Sequence, residues 1–406
     1  MAKAVFSRAA GRRTRITAAF TIGCAMAVFA MPNPASAQED AGTRLEAEYV
    51  ADTVAVTTDA GTQLDYLALA SVKANIALDA LTGLAGSRLM VGAIASQGGR
   101  PNDHAGTLQG INNIEVAENR IRLFELFVEQ PFAKGRGSVR LGLSDLNSEF
   151  YSTEASSLLI APPFGIGSEL SATGPNGPSI FPATALTARV RLETAGGTYL
   201  QGAVVNAETG LGGREKGSSL FGKGALFIGE AGKTWPGGLR LGLGGWTYSS
   251  RQPDLRDVDA GGDPVPRRAY GLYGIYEQRV AGGDDRNVAL FARAGLSDGK
   301  TTPYSGGWQA GLLVKAPLAA RPESQFSIGV HQAFLTDRFL RNAADAGQIA
   351  HRSDIGFEVT YADALAPWLI VQPDIQHVRS GAHGCCDHEG WAFTLRLRMG
   401  FTRPAD

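Results

Sequence analysis

The sequence after residue 37 consists of about sixteen short segments in which apolar and polar residues alternate. In the last segment Phe393, Leu395 and Leu397 occupy every second position, with Thr394 and Arg396 between them. Successive side chains of a β-strand point to opposite faces, so each segment has one apolar and one polar face. Strands of this kind form barrels that contact lipid outside and water inside. The pattern therefore predicts an all-β fold, a transmembrane antiparallel β-barrel of about 16 strands.

The connectors between the segments alternate between tight and long. The tight ones are rich in Gly, Pro or Asp, as turns require, and they lie at 133–136, 195–197, 233–236, 281–285, 319–322 and 362–367. The long ones lie at 99–119, 145–183, 207–219, 251–266 and 336–353. Outer-membrane barrels have short periplasmic turns and longer external loops. The connectors therefore predict the same asymmetry for this chain.

The N-terminus has the features of an export signal. Four arginines between residues 8 and 15 precede an apolar run at 16–31, and Ala35-Ser36-Ala37 supplies the small residues that a signal peptidase requires. We expect a cleaved signal peptide over 1–37, a barrel over 38–401 and a short C-terminal tail over 402–406. An exported barrel of this kind belongs in the bacterial outer membrane.

Composition narrows the class of protein further. The net charge is −1 and the mean hydropathy is −0.06, which suits neither a nucleic-acid binder nor a helical membrane protein. The longest apolar runs after residue 37 are interrupted by Pro162, Pro163 and Pro367 well before the roughly 18 residues of a spanning helix. No zinc-protease motif or phosphate loop occurs, and the sequence predicts neither an enzyme nor a cofactor.

The alternation also assigns charged residues to the two faces. An arginine facing lipid near mid-depth costs roughly 2–4 kcal/mol, so the arginines of alternating strands must face the lumen, namely Arg140, Arg189, Arg191 and Arg396. In another segment one face carries Glu125, Phe127 and Glu129. The lumen therefore combines both signs of charge with aromatic rings. Such walls suit neutral polyhydroxylated solutes, because hydroxyls donate to carboxylates and accept from guanidinium groups.

The connector at 145–183 is too long for a simple link and contains Phe150 and Phe164 among Gly, Ser and Pro. We expect it to fold into the lumen as a constriction, opposite Glu125, Glu129, Arg140 and Arg189. The alternative is an external loop whose aromatic side chains pack on the barrel rim.

One cluster has side chains that can bind metal, at residues 383–388, HGCCDH. Adjacent cysteines are poorly spaced for the paired ligands of a structural zinc site. A vicinal disulfide or a plain surface loop accounts better for the cluster, and we expect no metal there.

Four runs resemble the carbohydrate-selective porins of the OprB type. They are residues 108–115 (LQGINNIE), 121–130 (IRLFELFVEQ), 178–182 (PSIFP) and 368–376 (WLIVQPDIQ). The resemblance covers nearly the whole mature chain. It implies a sixteen-stranded outer-membrane channel for passive diffusion of glucose-like sugars. Unlike typical members, this chain continues beyond Phe401 and has residues 161–165, APPFG, where small polar residues usually precede the Phe-Gly pair.

Two other functions remain open from the sequence. One is a general or organic-acid porin with little sugar selectivity, and the other is a barrel that acts as an adhesin or structural anchor. The long external loops also offer surface for a homotrimer, which the sequence neither requires nor excludes.

Overall fold

The structure is a computed structural model that describes residues 43–210, 220–348, 350–379 and 389–404. In this part of the chain sixteen antiparallel strands pair in sequence order and close into a barrel. The strands are β1 (Arg44–Thr58), β2 (Gly61–Ala77), β3 (Arg88–Gly98), β4 (Ile121–Phe132), β5 (Gly137–Ser144), β6 (Ala185–Glu193), β7 (Thr198–Asn206), β8 (Ala225–Thr234), β9 (Leu239–Val258), β10 (Pro264–Gly282), β11 (Asn287–Ser297), β12 (Tyr304–Lys315), β13 (Gln325–Leu335), β14 (Ser353–Ala366), β15 (Leu369–Arg379) and β16 (Glu389–Pro404). The α-helices are α1 (Asp79–Thr82), α2 (Pro101–Ala105), α3 (Ser168–Ser171) and α4 (Asp337–Asp345).

Two predictions fall outside the described residues. They are the signal peptide at 1–37 and the cluster at 383–388. Among the helices that the structure does describe, none has the length and apolar character needed to cross a bilayer.

The barrel closes where β1 pairs with β16. The register runs from Arg44 opposite Pro404 to Thr57 opposite Trp391. A spanning wall leaves no backbone group unpaired in lipid, so the start of β1 requires a partner strand of matching length. Residues 402–404, expected to begin a C-terminal tail, therefore belong to the last strand of the wall.

Tight turns and long loops lie at opposite ends of the barrel, as the connectors predict. We call the end with residues 133–136, 194–197 and 235–238 the turn end, and the other the loop end. One predicted long loop, 251–266, is mostly strand, because β9 and β10 continue beyond the wall and leave only 259–263 as the hairpin tip. Ion pairs stabilise this extension, with Arg267 Nε 3.0 Å from Asp254 Oδ2.

The faces of the strands follow the alternation in the sequence. In β16, Phe393, Leu395 and Phe401 are exposed on the outer face, whereas Arg396 is buried on the inner face. One irregularity occurs in β4, where the register against β3 shifts between Gly92 and Ala93. The extra residue is Phe124, which is 8% exposed, and its ring packs edge-on against Phe181. The alternation would have placed that ring toward lipid.

Candidate functional site

Residues 145–184, which we call the inner segment, run from β5 into the lumen and back to β6. Its two ends are joined where Leu146 N donates to Ser179 O over 2.7 Å. Its middle reaches inward-facing side chains of the far wall. Ala161 N donates to Glu358 Oε2 of β14 over 2.9 Å, and Gln372 Nε2 of β15 donates to Leu158 O over 2.8 Å. The inner segment therefore crosses the lumen and does not lie on the rim.

Arg293 of β11 holds the inner segment through its backbone. Its guanidinium donates to the carbonyl oxygens of Tyr151 (2.6 Å), Gly165 (2.9 Å) and Pro163 (2.9 Å). The side chain is 2% exposed, so these bonds form away from water, where charge-assisted donors are strongest. Glu230 of β8 adds an acceptor for Tyr151 N at 2.9 Å. One cation and one carboxylate thus fix the same turn of the inner segment.

Glycines in the wall allow the inner segment to approach closely. A Cβ at Gly329 of β13 would lie 2.5 Å from the Phe164 ring, and one at Gly295 of β11 would overlap Glu169 Oε1. Any larger residue at either position would push the inner segment away from the wall. Phe164 also packs edge-on against Phe291, with ring centroids 6.0 Å apart.

The near wall of the lumen carries a compact group of four charges. Arg140 and Arg189 lie opposite each other on β5 and β6, and Glu129 of β4 lies opposite Arg140. Arg189 Nη2 is 2.7 Å from Glu129 Oε1, and Arg140 Nη2 is 2.8 Å from Glu129 Oε2. Glu149 of the inner segment accepts from Arg189 Nε over 2.8 Å. Two guanidinium groups and two carboxylates thus nearly cancel in charge. The Arg140 guanidinium also stacks 4.1 Å from the Phe127 ring centroid.

A second charged group lies beside the first. Lys73 Nζ of β2 is 3.1 Å from Glu125 Oε2 of β4. Asp145, the first residue of the inner segment, is partly buried nearby and accepts from Asn147 N over 2.9 Å. Burial raises the pKa of the Asp145 carboxyl to about 7, and the Glu125 carboxylate acts in the same direction, whereas Lys73 and Arg140 oppose it. Asp145 therefore changes charge near neutral pH.

Residues 99–120, which we call the second inner segment, also fold into the lumen. Leu108 N donates to Asp354 Oδ2 over 2.7 Å, and Gln376 Nε2 donates to Ile111 O over 2.8 Å. Arg396 forms two bonds of 2.8 and 2.7 Å to Asp52 and one of 2.8 Å to Asn113. The sequence predicted only a long connector here.

The two inner segments are joined to each other. Ser168 Oγ donates to Gln109 Oε1 over 3.0 Å. Within the second inner segment, burial raises the pKa of the Glu115 carboxyl to about 7, against the opposing effect of its hydrogen bond from Asn102 N. The two pieces of chain inside the barrel are thus connected to each other.

The predicted site residues divide into two groups by exposure. The side chains of Glu129, Arg140 and Arg191 are 26, 13 and 33% exposed. The others are buried in contacts within the protein, namely Glu125, Phe127, Phe150, Phe164, Arg189 and Arg396. Phe150 and Phe164 therefore hold the inner segment in place and do not line the water path as expected.

Several functional residues were missed from the sequence. Lys73, at 41% exposure, faces the lumen from β2. Arg293, Glu230 and Glu358 also face inward, and strand alternation alone gives that orientation. The alternation could not predict their role, because their partners on the inner segment are far away in the sequence. In the second inner segment the polar run at 108–115 was a usable signal, since its amides need partners once buried.

The closed barrel, its apolar outer face and its charged lumen define the class of an outer-membrane porin. Comparison with known proteins narrows this class to one family. Residues 62–402 match the family described as "Carbohydrate-selective porin, OprB family". This chain belongs to that family, and its place is the outer membrane.

Individual proteins are also similar to this chain. Porin B of Pseudomonas aeruginosa is 24% identical over 312 residues, which cover 68% of this chain and 67% of that protein. The high-pH structure of OprB from Pseudomonas putida superposes with a TM-score of 0.77 at 19% identity, covering 89% of this chain and 94% of that one. The channel DcaP of Acinetobacter baumannii gives a TM-score of 0.56 at 11% identity, covering 89% and 99%. The likeness to these two structures concerns the fold.

Proposed function

We propose that this porin allows passive diffusion of glucose-like mono- or small oligosaccharides, and that the water path narrows between the inner segment and the wall of β2 to β6. The observation that carries the proposal is the near-neutral pairing of Arg140 and Arg189 with Glu129 and Glu149. Together with Lys73 and Glu125, these groups offer donors and acceptors side by side.

The balance of charge favours sugars over ions as the permeating solute. A sugar hydroxyl both donates and accepts, so it can bond in turn to a carboxylate and a guanidinium. An organic anion would be attracted by an excess of cations, but Lys73, Arg140 and Arg191 each have a carboxylate near them. Arg191 Nη2, for example, lies 3.0 Å from Glu193 Oε2. Membership in a carbohydrate-selective family supports the same solute class.

Liposome swelling tests the proposed solute. Liposomes that contain the purified protein are exposed to glucose, larger oligosaccharides, amino acids and organic acids of matched osmolarity. We expect small sugars to enter faster than amino or organic acids of similar size. Entry ranked by size alone would instead identify a general diffusion porin. Absence of swelling would indicate a closed or structural barrel.

Deletion tests the proposed constriction. Removing residues 150–164 takes away the part of the inner segment that reaches the far wall, while the bond between Leu146 and Ser179 stays in place. We expect a several-fold rise in single-channel conductance and loss of preference for small sugars. A deletion within α4, which packs on β9 at the loop end, is the matched control. Unchanged conductance after removal of 150–164 would refute the constriction without affecting the assignment as a porin.

A further inference from the structure

The outer wall of the barrel carries an apolar groove of about 1060 Å³ that runs across β5 to β11. Its borders are the exposed side chains of Val190, Phe227, Leu272 and Leu296. A porin wall normally presents a convex surface of side chains to lipid, so a depression of this size requires a local cause.

The cause is a set of three glycines on neighbouring strands. Gly202, Gly229 and Gly245 lie opposite one another on β7, β8 and β9. Each of these glycines is preceded and followed in its own strand by inward-facing residues. A side chain at these positions would therefore point outward. A Cβ at Gly202 or Gly229 would meet only a backbone oxygen, at 3.6 and 3.8 Å. The wall could therefore accept larger residues at Gly202 and Gly229, and the groove exists because it has none there.

Two arginines lie on the same outer face, between the groove and the loop end. Arg251 of β9 and Arg268 of β10 are direct cross-strand partners, and both are exposed. Like charges in this position repel each other. Within the described residues neither forms an ion pair with a carboxylate, and Arg251 donates only to the carbonyl of Pro266, over 3.3 Å. An anion between the two guanidinium groups would remove the repulsion and accept from both.

We propose that the groove and the Arg251–Arg268 pair form one binding site for a phosphorylated, acylated lipid of the outer leaflet. Its phosphate lies between the two guanidinium groups and one acyl chain fills the groove. Apolar lining alone would suit any chain in the bilayer. The uncompensated pair of cations selects a lipid whose phosphate carries no cation of its own, unlike the zwitterionic head group of phosphatidylcholine.

The spacing between the two parts fits a lipid of one leaflet. The β9 strand bulges between Gly245 and Arg251, so the span is counted on β10, where their partners Leu272 and Arg268 are four residues apart, about 13 Å at roughly 3.3 Å per residue. A strand tilted by about 40° covers about 10 Å of membrane depth over that length. An acyl chain of one leaflet spans half of a hydrocarbon core about 30 Å thick, which is about 15 Å. A chain that starts at the arginines thus reaches the glycines.

Native mass spectrometry of the purified full barrel tests the site. The protein is titrated with lipid A, a bisphosphorylated and multiply acylated glycolipid, with phosphatidylcholine, and with lipid A in the presence of inorganic phosphate. We expect retention of lipid A and not of phosphatidylcholine. The double variant Arg251→Gln/Arg268→Gln should weaken retention about thirtyfold, as expected for two cations at a membrane surface. Gly229→Leu, which fills the groove, should weaken it at least tenfold.

Two variants serve as matched controls. Gly274→Leu adds the same volume to the outer face outside the groove, where a Cβ meets nothing closer than 4.0 Å. Lys134→Gln removes an exposed cation at the turn end. Both should retain lipid A, and all variants should keep wild-type swelling rates in sugar. Equal retention of phosphatidylcholine, full displacement by inorganic phosphate, or undiminished binding by Gly229→Leu would each overturn the proposal. Loss of self-association in Gly229→Leu, with lipid binding intact, would overturn it in favour of a second copy.

Discussion

Replacing Arg293 by methionine should release the inner segment while the barrel stays closed. The three carbonyls that Arg293 contacts belong to the inner segment and none to the wall. Methionine keeps much of the length and packing of arginine but donates no hydrogen bond. The change therefore separates attachment of the inner segment from formation of the strands.

The expected loss follows from two opposing contributions. A hydrogen bond to a charged group contributes about 1.5–3 kcal/mol, so three of them exceed about 4 kcal/mol. Replacing a buried charge by an apolar side chain recovers about 1–4 kcal/mol of desolvation. We take the net loss in attachment free energy as about 2–3 kcal/mol. This corresponds to a thirtyfold to hundredfold increase in the equilibrium constant for local opening, at about 1.4 kcal/mol per factor of ten.

Hydrogen–deuterium exchange of the micelle-bound protein measures this opening directly. Peptides that cover residues 150–165 should exchange thirtyfold to a hundredfold faster in Arg293→Met, whereas strand peptides should be unchanged. Arg398→Met is the matched control, because Arg398 pairs with Glu48 at 2.8 Å in the opposite part of the wall. Wild-type exchange over 150–165 in a folded Arg293→Met protein would show that these carbonyl contacts do not hold the inner segment, and the reasoning would fail.

Three further outcomes are expected. Phe164→Ala, which empties a site between Phe291 and the inner segment, should cost about 3–4 kcal/mol in denaturant titration, and a loss below about 1 kcal/mol would contradict the packing. The pKa of Asp145 is raised to about 7, so its ionisation lowers stability as pH rises from about 4 to about 7; reversal potentials should shift toward cations between pH 6 and 8, and Asp145→Asn should reduce both effects, with the remainder due to Glu115, whose pKa is also raised to about 7. Arg140→Gln leaves Glu129 with less compensation and should favour cations in reversal-potential measurements, whereas Arg251→Gln on the outer wall should not.

The wall of the barrel could be predicted from the sequence because the alternation within each strand is enough to assign its two faces. Arginine cannot face lipid at mid-depth, so Arg189 and Arg396 could be placed inside from their own strands. The same local rule failed at Phe124, where a β-bulge inserts one residue and changes the face. It also could not show that β9 continues to Val258, since that extension depends on ion pairs with Arg267 and with the distant α4.

The interior was harder to predict because its contacts are long-range. The sequence suggested an inward segment at 145–183 but assigned Phe150 and Phe164 to the water path. An aromatic side chain inside the barrel is shielded from water when it packs against the wall. Gly329 leaves room for the Phe164 ring to do so. The second inner segment was missed, because its partners Asp354 and Asp52 lie on strands far away in the sequence.

The inward-facing charges therefore have two separate tasks. Arg293, Glu358 and Arg396 are buried and bind the inner segments, so changing them should alter the shape of the path. Arg140 and Lys73 remain in contact with water, so changing them should alter which solutes pass at nearly constant conductance. The two effects separate in one experiment, because conductance reports the cross-section and reversal potential reports the charge. The neutrality proposed for the water path rests on this division, since most of the inward-facing charge is already bound to its own chain.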